Sequence, residues 1–338
     1  MGHPAIDNAT PFAVQPLFTT DEHGQALVAP IVRATYEFDL QGTLWLAEEQ
    51  APVKLEGEPA TDAPISSYKY EPEAAFMKPA TDVVLVGHAE PPGRGATQVD
   101  VGIKVGPVRK IARVFGDRYW VMSSGVARMS KTGELGRVPL LWEHAFGGQD
   151  PVHSTPDRPS FDPRNPVGRG FGRPLTREGE HTKLPNIEEP TQPVAEYGAL
   201  VTPAGFGFTC ANWEPRARLA GTYDDEWDQN RKPFLPLDFD RRFFNGAAPG
   251  LVAPGYLQGS EDIVVLNATP GGRVSFSLPG LPPPRATVVI RRELDLPVNL
   301  QLDTVVVNTD ERKLFLTWRG YVHAMRGPHD VTTIRIGI

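Results

Sequence analysis

The chain reads as a mainly β protein: two strand-rich, sandwich-like portions joined by a long, ordered, loop-rich middle with few short helices. Three observations lead there. Runs of β-branched and aromatic residues alternate with period two near both ends of the sequence. Glycine and proline number 33 and 35 of 338 residues, too many for long regular elements and too few for collagen or a wholly disordered chain. Convincing amphipathic helices are scarce. The predicted portions are 1–145, N-terminal and β-rich; 146–250, rich in proline and glycine with short helices; and 251–338, C-terminal and β-rich. One intertwined domain is the alternative.

Taken in order, Val28 to Asp39 alternates Ile31, Arg33, Thr35 and Glu37 against Val32, Ala34, Tyr36 and Phe38. Asp82 to His88 reads as a fully buried strand. Gln98 to Gly106 sets Val99, Val101, Ile103 and Val105 against Asp100, Gly102 and Lys104, and Val108 to Phe115 continues after Gly106-Pro107. In the last third, Asp262 to Asn267, Arg273 to Leu278, Thr287 to Arg291, Asp303 to Asn308 and Lys313 to Trp318 are strands. The polar Thr309 to Arg312 connection has the length of a hairpin loop. Thr222 to Arg231 opens a short helix with Thr222 as its cap, acidic residues in its first turn and Pro233 ending it. Asp238 to Asn245 adds a further turn.

Between these patterned regions lies Phe146-Gly-Gly-Gln-Asp-Pro-Val, then Phe161 through Pro174, then Leu184-Pro-Asn-Ile-Glu-Glu-Pro190. Proline removes a backbone donor and glycine is entropically costly inside an element, so neither helix nor strand persists here. Arg164, Asn165, Phe161, Phe171 and Ile187 are residues that dock a loop, which argues for order rather than for a linker.

Charged residues at 22% and a net charge of −7 describe a mildly acidic chain without a basic tract, which argues against nonspecific nucleic-acid binding. The single cysteine, Cys210, rules out an internal disulfide and reads as a small buried apolar residue. The amino terminus lacks the basic start and apolar run of a secretory signal, and no apolar stretch is long enough to span a membrane. A cytoplasmic location without membrane association is expected.

Short catalytic patterns fail on context. The glycines at 168, 170 and 172 suggest a phosphate loop, but Pro163, Pro166 and Pro174 deny the preceding strand and following helix that such a loop needs. Ser66-Ser-Tyr-Lys69 and Lys131-Thr-Gly133 match fragments of the serine β-lactamase pattern without its Ser-Asp-Asn element. His3, His23, His88, His144, His153, His181, His323 and His329 show no paired helical spacing for zinc. Acidic clusters at Glu48-Glu49, Glu188-Glu189 and Asp224 to Glu226 single out no catalytic pair. No catalytic residue, metal ligand or cofactor is assigned. Trp142, Trp213, Trp227 and Trp318, with Phe243, Phe244 and Tyr256, serve either as binding anchors or as pins holding irregular loops to the core.

Several ordered motifs carry a resemblance along nearly the whole chain. They include Asp82-Val-Val-Leu-Val-Gly-His-Ala89, Val114 to Trp120, Pro139-Leu-Leu-Trp-Glu-His-Ala-Phe-Gly-Gly148, Asp162 to Phe171 and Leu184 to Glu188. Pro203 to Gly207, Trp213 to Asp224 followed by Trp227, and Asp303 to Asp310 with Trp318-Arg319 complete the set. Together they resemble a bacterial domain-of-unknown-function family found with type VI secretion genes. The resemblance implies a non-enzymatic adaptor or chaperone that holds a toxic effector and helps load it onto a VgrG or PAAR spike protein. It supplies no catalytic residues. His144 departs from the family motif, where arginine is more usual. Arg164, Asn165, Tyr223 and Trp227 are the expected partner-binding residues, with loop-locking as their alternative role. A carbohydrate-active or other hydrolase on a β-scaffold, or a structural component of the secretion apparatus, are the rival functions.

Overall fold

Strand Ala26–Phe38 is the spine of the protein, with 13 residues buried almost throughout. In the computed structural model, which describes residues 4–150, 152–172, 175–291, 295–324 and 328–338, it lies inside the largest sheet. The sheet order is Ala13–Thr20, Ala26–Phe38, Lys313–Arg319, Gln301–Asn308 and Asp82–Val86. Short strands Leu44–Leu46 and Val322–His323 also pair with the spine. The first three junctions are antiparallel and the last is parallel, with Val305 opposite Val83. The expected hairpin is present, with Asn308 opposite Lys313 and Val305 opposite Leu316.

A second sheet runs Ile187–Glu188, Val108–Phe115, Gln98–Val105, Asp262–Leu266 and Arg273–Ser277, antiparallel throughout. A third joins Ala5–Asn8, Val331–Gly337, Arg285–Ile290 and Leu296–Val298. The protein is therefore mainly β. All three sheets take strands from both 1–145 and 251–338, so the two ends of the sequence are woven together rather than folded side by side. One apolar cluster unites them: Val32, Ala34 and Phe38 of the spine and Trp318 meet Val101, Ile103, Val265 and Phe276 of the second sheet and Val288 and Ile334 of the third. The Phe38 and Phe276 rings stack at 4.7 Å between centroids.

Several elements escape the sequence pattern. Strand Ala13–Thr20 carries Pro16, tolerated because the strand lies at a sheet edge, where a missing donor breaks no inner ladder. Ala5–Asn8 and Val331–Gly337 pair with each other in parallel across the length of the chain. The helix near 222 is shorter than expected. It spans Asp225–Asn230 and its cap is Asp224, whose carboxylate accepts from the Trp227 amide at 2.9 Å. Thr222 instead donates its amide and hydroxyl to the two oxygens of Asp238. The turn expected at 238–245 is the short 3-10 helix Arg241–Phe244, capped by Asp240. His3 and Pro174 lie outside the described residues.

Shared sheets make the ends interdependent. Fragments 1–145 and 251–338, expressed separately, are expected to lack cooperative thermal transitions by circular dichroism. A fragment that melts cooperatively on its own would contradict this architecture.

Candidate functional site

The two faces of the central sheet differ in chemistry. One packs on the apolar core. On the other, Arg33, Thr35, Phe315, Thr317 and Arg319 project at alternate positions and are covered by irregular chain. A buried network of ions holds that covering in place. Lys78 Nζ lies 2.9 Å from Glu71 Oε1 and 2.8 Å from Asp82 Oδ2. Asp82 also accepts from the Asn245 side chain and the Gly246 amide, each at 2.9 Å. Glu71 accepts from Arg216 at 2.8 Å, and Arg216 donates in turn to the carbonyls of Thr209 and Phe243, each at 2.7 Å. Nearby, Glu73 joins the Arg33 guanidinium, the Thr317 hydroxyl and the Lys54 amide, while Arg33 stacks 4.4 Å over the Phe315 ring.

Burial alone would weaken these charges, but each has an opposite neighbour. For Lys78, burial favours the neutral amine, yet the Asp82 and Glu71 carboxylates outweigh it and raise its pKa. Burial likewise disfavours the Glu71 anion, but Lys78 and Arg216 hold it below its ordinary 4.5. Asp303 behaves oppositely: burial raises its pKa despite Arg319, whose Nε lies 3.4 Å away. The network uses its charges internally, as a fastener.

The middle segment is fastened in the same manner. Asn165 is fully buried, and its amide donates to the carbonyls of Trp142 at 2.8 Å and Phe146 at 2.9 Å. The backbone of Gly147 passes so close that a side-chain carbon there would sit 2.2 Å from the Asn165 carbonyl oxygen, and its φ of 140° suits glycine. Arg164 grips Asp162 with two bonds of 2.9 and 2.7 Å and reaches the Val201 carbonyl at 3.0 Å. Asn165 thus has no surface for a partner in this conformation, and Arg164 commits its Nε and Nη2 donors to the loop itself. Asn186, not singled out from sequence, and Glu188, seen there as part of an acidic cluster, share the task. Asn186 bonds the Phe115 carbonyl and Asp117, and Glu188 meets Arg118 at 2.5 Å. Their signal was the Leu-Pro-Asn-Ile-Glu motif, which carried no chemistry of its own. His144 lies beside Asn186; burial, reinforced by Arg169, pushes its pKa down from 6.5, so it is neutral at pH 7.

Tyr223 and Trp227 belong to an excursion closed at its neck by Thr222 and Asp238. Their rings meet edge-on at 4.7 Å, and the Trp227 indole donates to the Phe234 carbonyl at 2.8 Å. Trp227 therefore braces the excursion, whereas Tyr223 is 53% exposed beside the acidic helix. Leu237, near the neck, is 86% exposed. Arg231 ties the excursion to the rest of the protein through the Glu22 carbonyl at 2.5 Å.

The remaining sequence candidates take structural roles. The Ser66 hydroxyl has the Ser67 carbonyl at 2.9 Å and Glu143 at 3.2 Å as acceptors for its one proton, and Lys69 pairs with Glu311 at 3.1 Å, so the two are not coupled as nucleophile and base. Burial pushes the Cys210 thiol up to about 12, which removes its nucleophilic form at neutral pH. His88, His153 and His323 each face a separate carboxylate: Asp310, Asp150 and Asp21. Trp142, Trp213 and Trp318 are buried pins of the core. Among the described residues, no group of three or more histidine, cysteine, aspartate or glutamate side chains is placed to hold a metal ion.

An open groove of about 850 Å³ lies on the solvent-facing side of the second sheet. Its floor holds Gly102, Ile111, Val264 and Leu266, and Lys104, Arg109 and Arg273 stand around it. Ile111 is 50% exposed.

Residues 23–319 match a family described as an uncharacterized protein conserved in bacteria (DUF2169), and the chain belongs to that family. No curated protein and no solved structure matches it.

Lys78→Met is expected to lower stability by about 3–5 kcal/mol, because it leaves two buried carboxylates facing each other; urea unfolding measures it. Asn165→Ala should lose roughly 2–4 kcal/mol by orphaning two carbonyls and opening a void. The Glu71 pKa is lower in the folded state than in the unfolded chain. Its contribution to stability is thus present above pH 4.5 and is lost as pH falls through the folded value. Melting curves of Glu71→Gln should therefore fall less steeply than wild type on acidification below pH 4.5. Parallel acid limbs would refute that assignment.

Proposed function

For this member of the family, we propose a non-enzymatic adaptor that binds a type VI secretion effector and helps load it onto a VgrG or PAAR spike protein. The supporting observation is how the polar residues are spent. The buried charges around Lys78 and around Arg118 and Glu188 fasten irregular chain to the sheets, and the cavity that Arg33, Glu71, Glu73 and Lys78 line, about 20 Å³, has room for a water and not for a substrate. An adaptor needs stiff, shaped loops that present side chains to a partner, and buried ion pairs supply that stiffness. The Tyr223 ring and the Leu237 side chain, carried on a braced excursion, are the exposed apolar elements such a surface uses. The secretion context of this reading comes from the resemblance carried by the motifs described above, and the irregular surface suits a protein-binding role.

Affinity purification of the tagged protein from its own bacterium, with mass spectrometry of what comes with it, tests this reading. Recovery of one toxin together with a spike protein is the expected outcome. Failure to enrich either, combined with normal toxin release after deletion of the gene, would exclude the role. Tyr223→Asp is expected to reduce recovery roughly tenfold while leaving the melting temperature unchanged, because its ring is solvent-facing and contributes little to the core.

A further inference from the structure

We infer that the groove on the outer face of the second sheet docks an extended acidic polypeptide segment in which an aliphatic side chain lies between two carboxylates. This names a partner chemistry for the adaptor reading, and relies on it in taking the partner to be a polypeptide.

The sheet's alternation makes the face unusual. Val101, Ile103, Val105, Ile263, Val265, Val274 and Phe276 point inward to the core, as a half-exposed antiparallel sheet requires. The outward positions should then be polar, yet Ile111, Val264 and Leu266 occupy three of them side by side. Gly102 sits between Ile111 and Leu266 in register, leaving a dip in the floor. A side-chain carbon added at Gly102 would lie 3.3 Å from Ile111 and 3.7 Å from Leu266, so the dip is bounded by aliphatic walls.

The charges around this floor are unbalanced. Lys104 and Arg109 are direct cross-strand neighbours, both exposed, an arrangement that is repulsive and destabilising. Neither of them, nor Arg273, has a carboxylate partner among the described residues. Most of the nearby carboxylates are already engaged; Glu189, which also lines the groove, takes only a long bond from the Thr191 hydroxyl and lies near Lys110. Asp100 is clamped by Arg113 at 2.7 and 3.0 Å, Asp262 accepts from Ser277, and Glu261 folds onto the amides of residues 258–260. Three free cations thus gather on one face of a chain whose net charge is −7. An anionic partner would relieve the Lys104–Arg109 repulsion on binding.

Geometry defines that partner further. From the Val108–Phe115 strand to the Arg273–Ser277 strand is three strand spacings, about 14 Å, which an extended chain covers in roughly four residues. Side chains at i, i+2 and i+4 of such a chain share a face. Carboxylates at i and i+4 reach Arg109 or Lys104 at one end and Arg273 at the other, and the residue at i+2 rests over Gly102. A nucleic acid fits less well, because the floor is aliphatic with no ring to stack a base.

The test uses a fluorescein-labelled peptide of roughly a dozen residues repeating Glu-Ser-Leu-Ser, which presents this spacing when extended. Fluorescence anisotropy is expected to show saturable binding that weakens with salt. Reversing both ends, Arg109→Glu with Arg273→Glu, should weaken it by about tenfold or more, while Lys131→Glu, away from the groove, leaves it unchanged. Ile111→Ser should weaken binding without changing its salt dependence. Equal melting temperatures establish that the variants are folded. Absence of binding, equal binding by the doubly reversed variant, or tighter binding of a single-stranded oligonucleotide or of a Lys-Ser-Leu-Ser peptide would each overturn the proposal. The adaptor reading is separable from it. If the doubly reversed variant still recovers toxin and spike from cells, the groove assignment fails and the adaptor stands. If wild type binds the peptide but recovers neither, the adaptor reading fails and the groove stands.

Discussion

The Lys78 ammonium sits where the covering chain turns into the central sheet, bonded to Glu71 on one side and to Asp82, the first residue of a sheet strand, on the other. Through those carboxylates it is one step from Arg216, Asn245 and Gly246, which belong to chain far away in sequence. An isolated charge at this depth would be strongly unfavourable. Lys78, Arg216 and Arg319 stand near Glu71, Asp82 and Asp303, so the buried charges balance. Each member is tolerable only because the others are present, and the loops over this face inherit that interdependence.

The consequence is a division of labour between the faces of one sheet. The apolar face gathers the core of all three sheets and supplies bulk cohesion, which depends on area and tolerates exchange among similar side chains. The charged face is directional. Glu73 accepts from Arg33, Thr317 and the Lys54 amide at fixed angles, and a shifted loop would lose several bonds at once. Order without helix or strand is achieved in this way, and Asn165 repeats the device with a neutral amide in the middle segment.

Period two was legible where one face of a strand met the core. Gln98–Val105 alternates because its other face meets solvent. The spine strand also showed its alternation, Arg33, Thr35 and Glu37 against Val32, Ala34, Tyr36 and Phe38, although both of its faces are buried. Edge strands such as Ala13–Thr20 were not, because a proline there costs little and resembles a breaker. The pairing of distant segments was hidden for a different reason. Register between Ala26–Phe38 and Lys313–Arg319 is decided by three-dimensional fit, and nothing local to either segment names its partner. Asp82 was read as the start of a buried strand, but Glu71 and Lys78 gave no signal at all, since burial of a charge leaves no mark on spacing. Arg164 and Asn165 were recognisable as important to the middle loops, but whether they faced inward or outward was not. For Tyr223 and Trp227 the aromatic pair was visible, and its division into one exposed ring and one brace was not.

The weave of the sheets also bears on how the protein is made. The Ala26–Phe38 strand leaves the ribosome long before its inner neighbour, Lys313–Arg319, is synthesised. Meanwhile one side of an apolar strand has no native hydrogen-bonding partner, and the Asp82–Val86 strand waits likewise for Gln301–Asn308. Such high contact order slows folding and leaves bare strand edges open to other chains. The strand therefore needs shielding until Lys313–Arg319 has been made, and the local hairpin of Ala13–Thr20 with Ala26–Phe38 gives it partial cover.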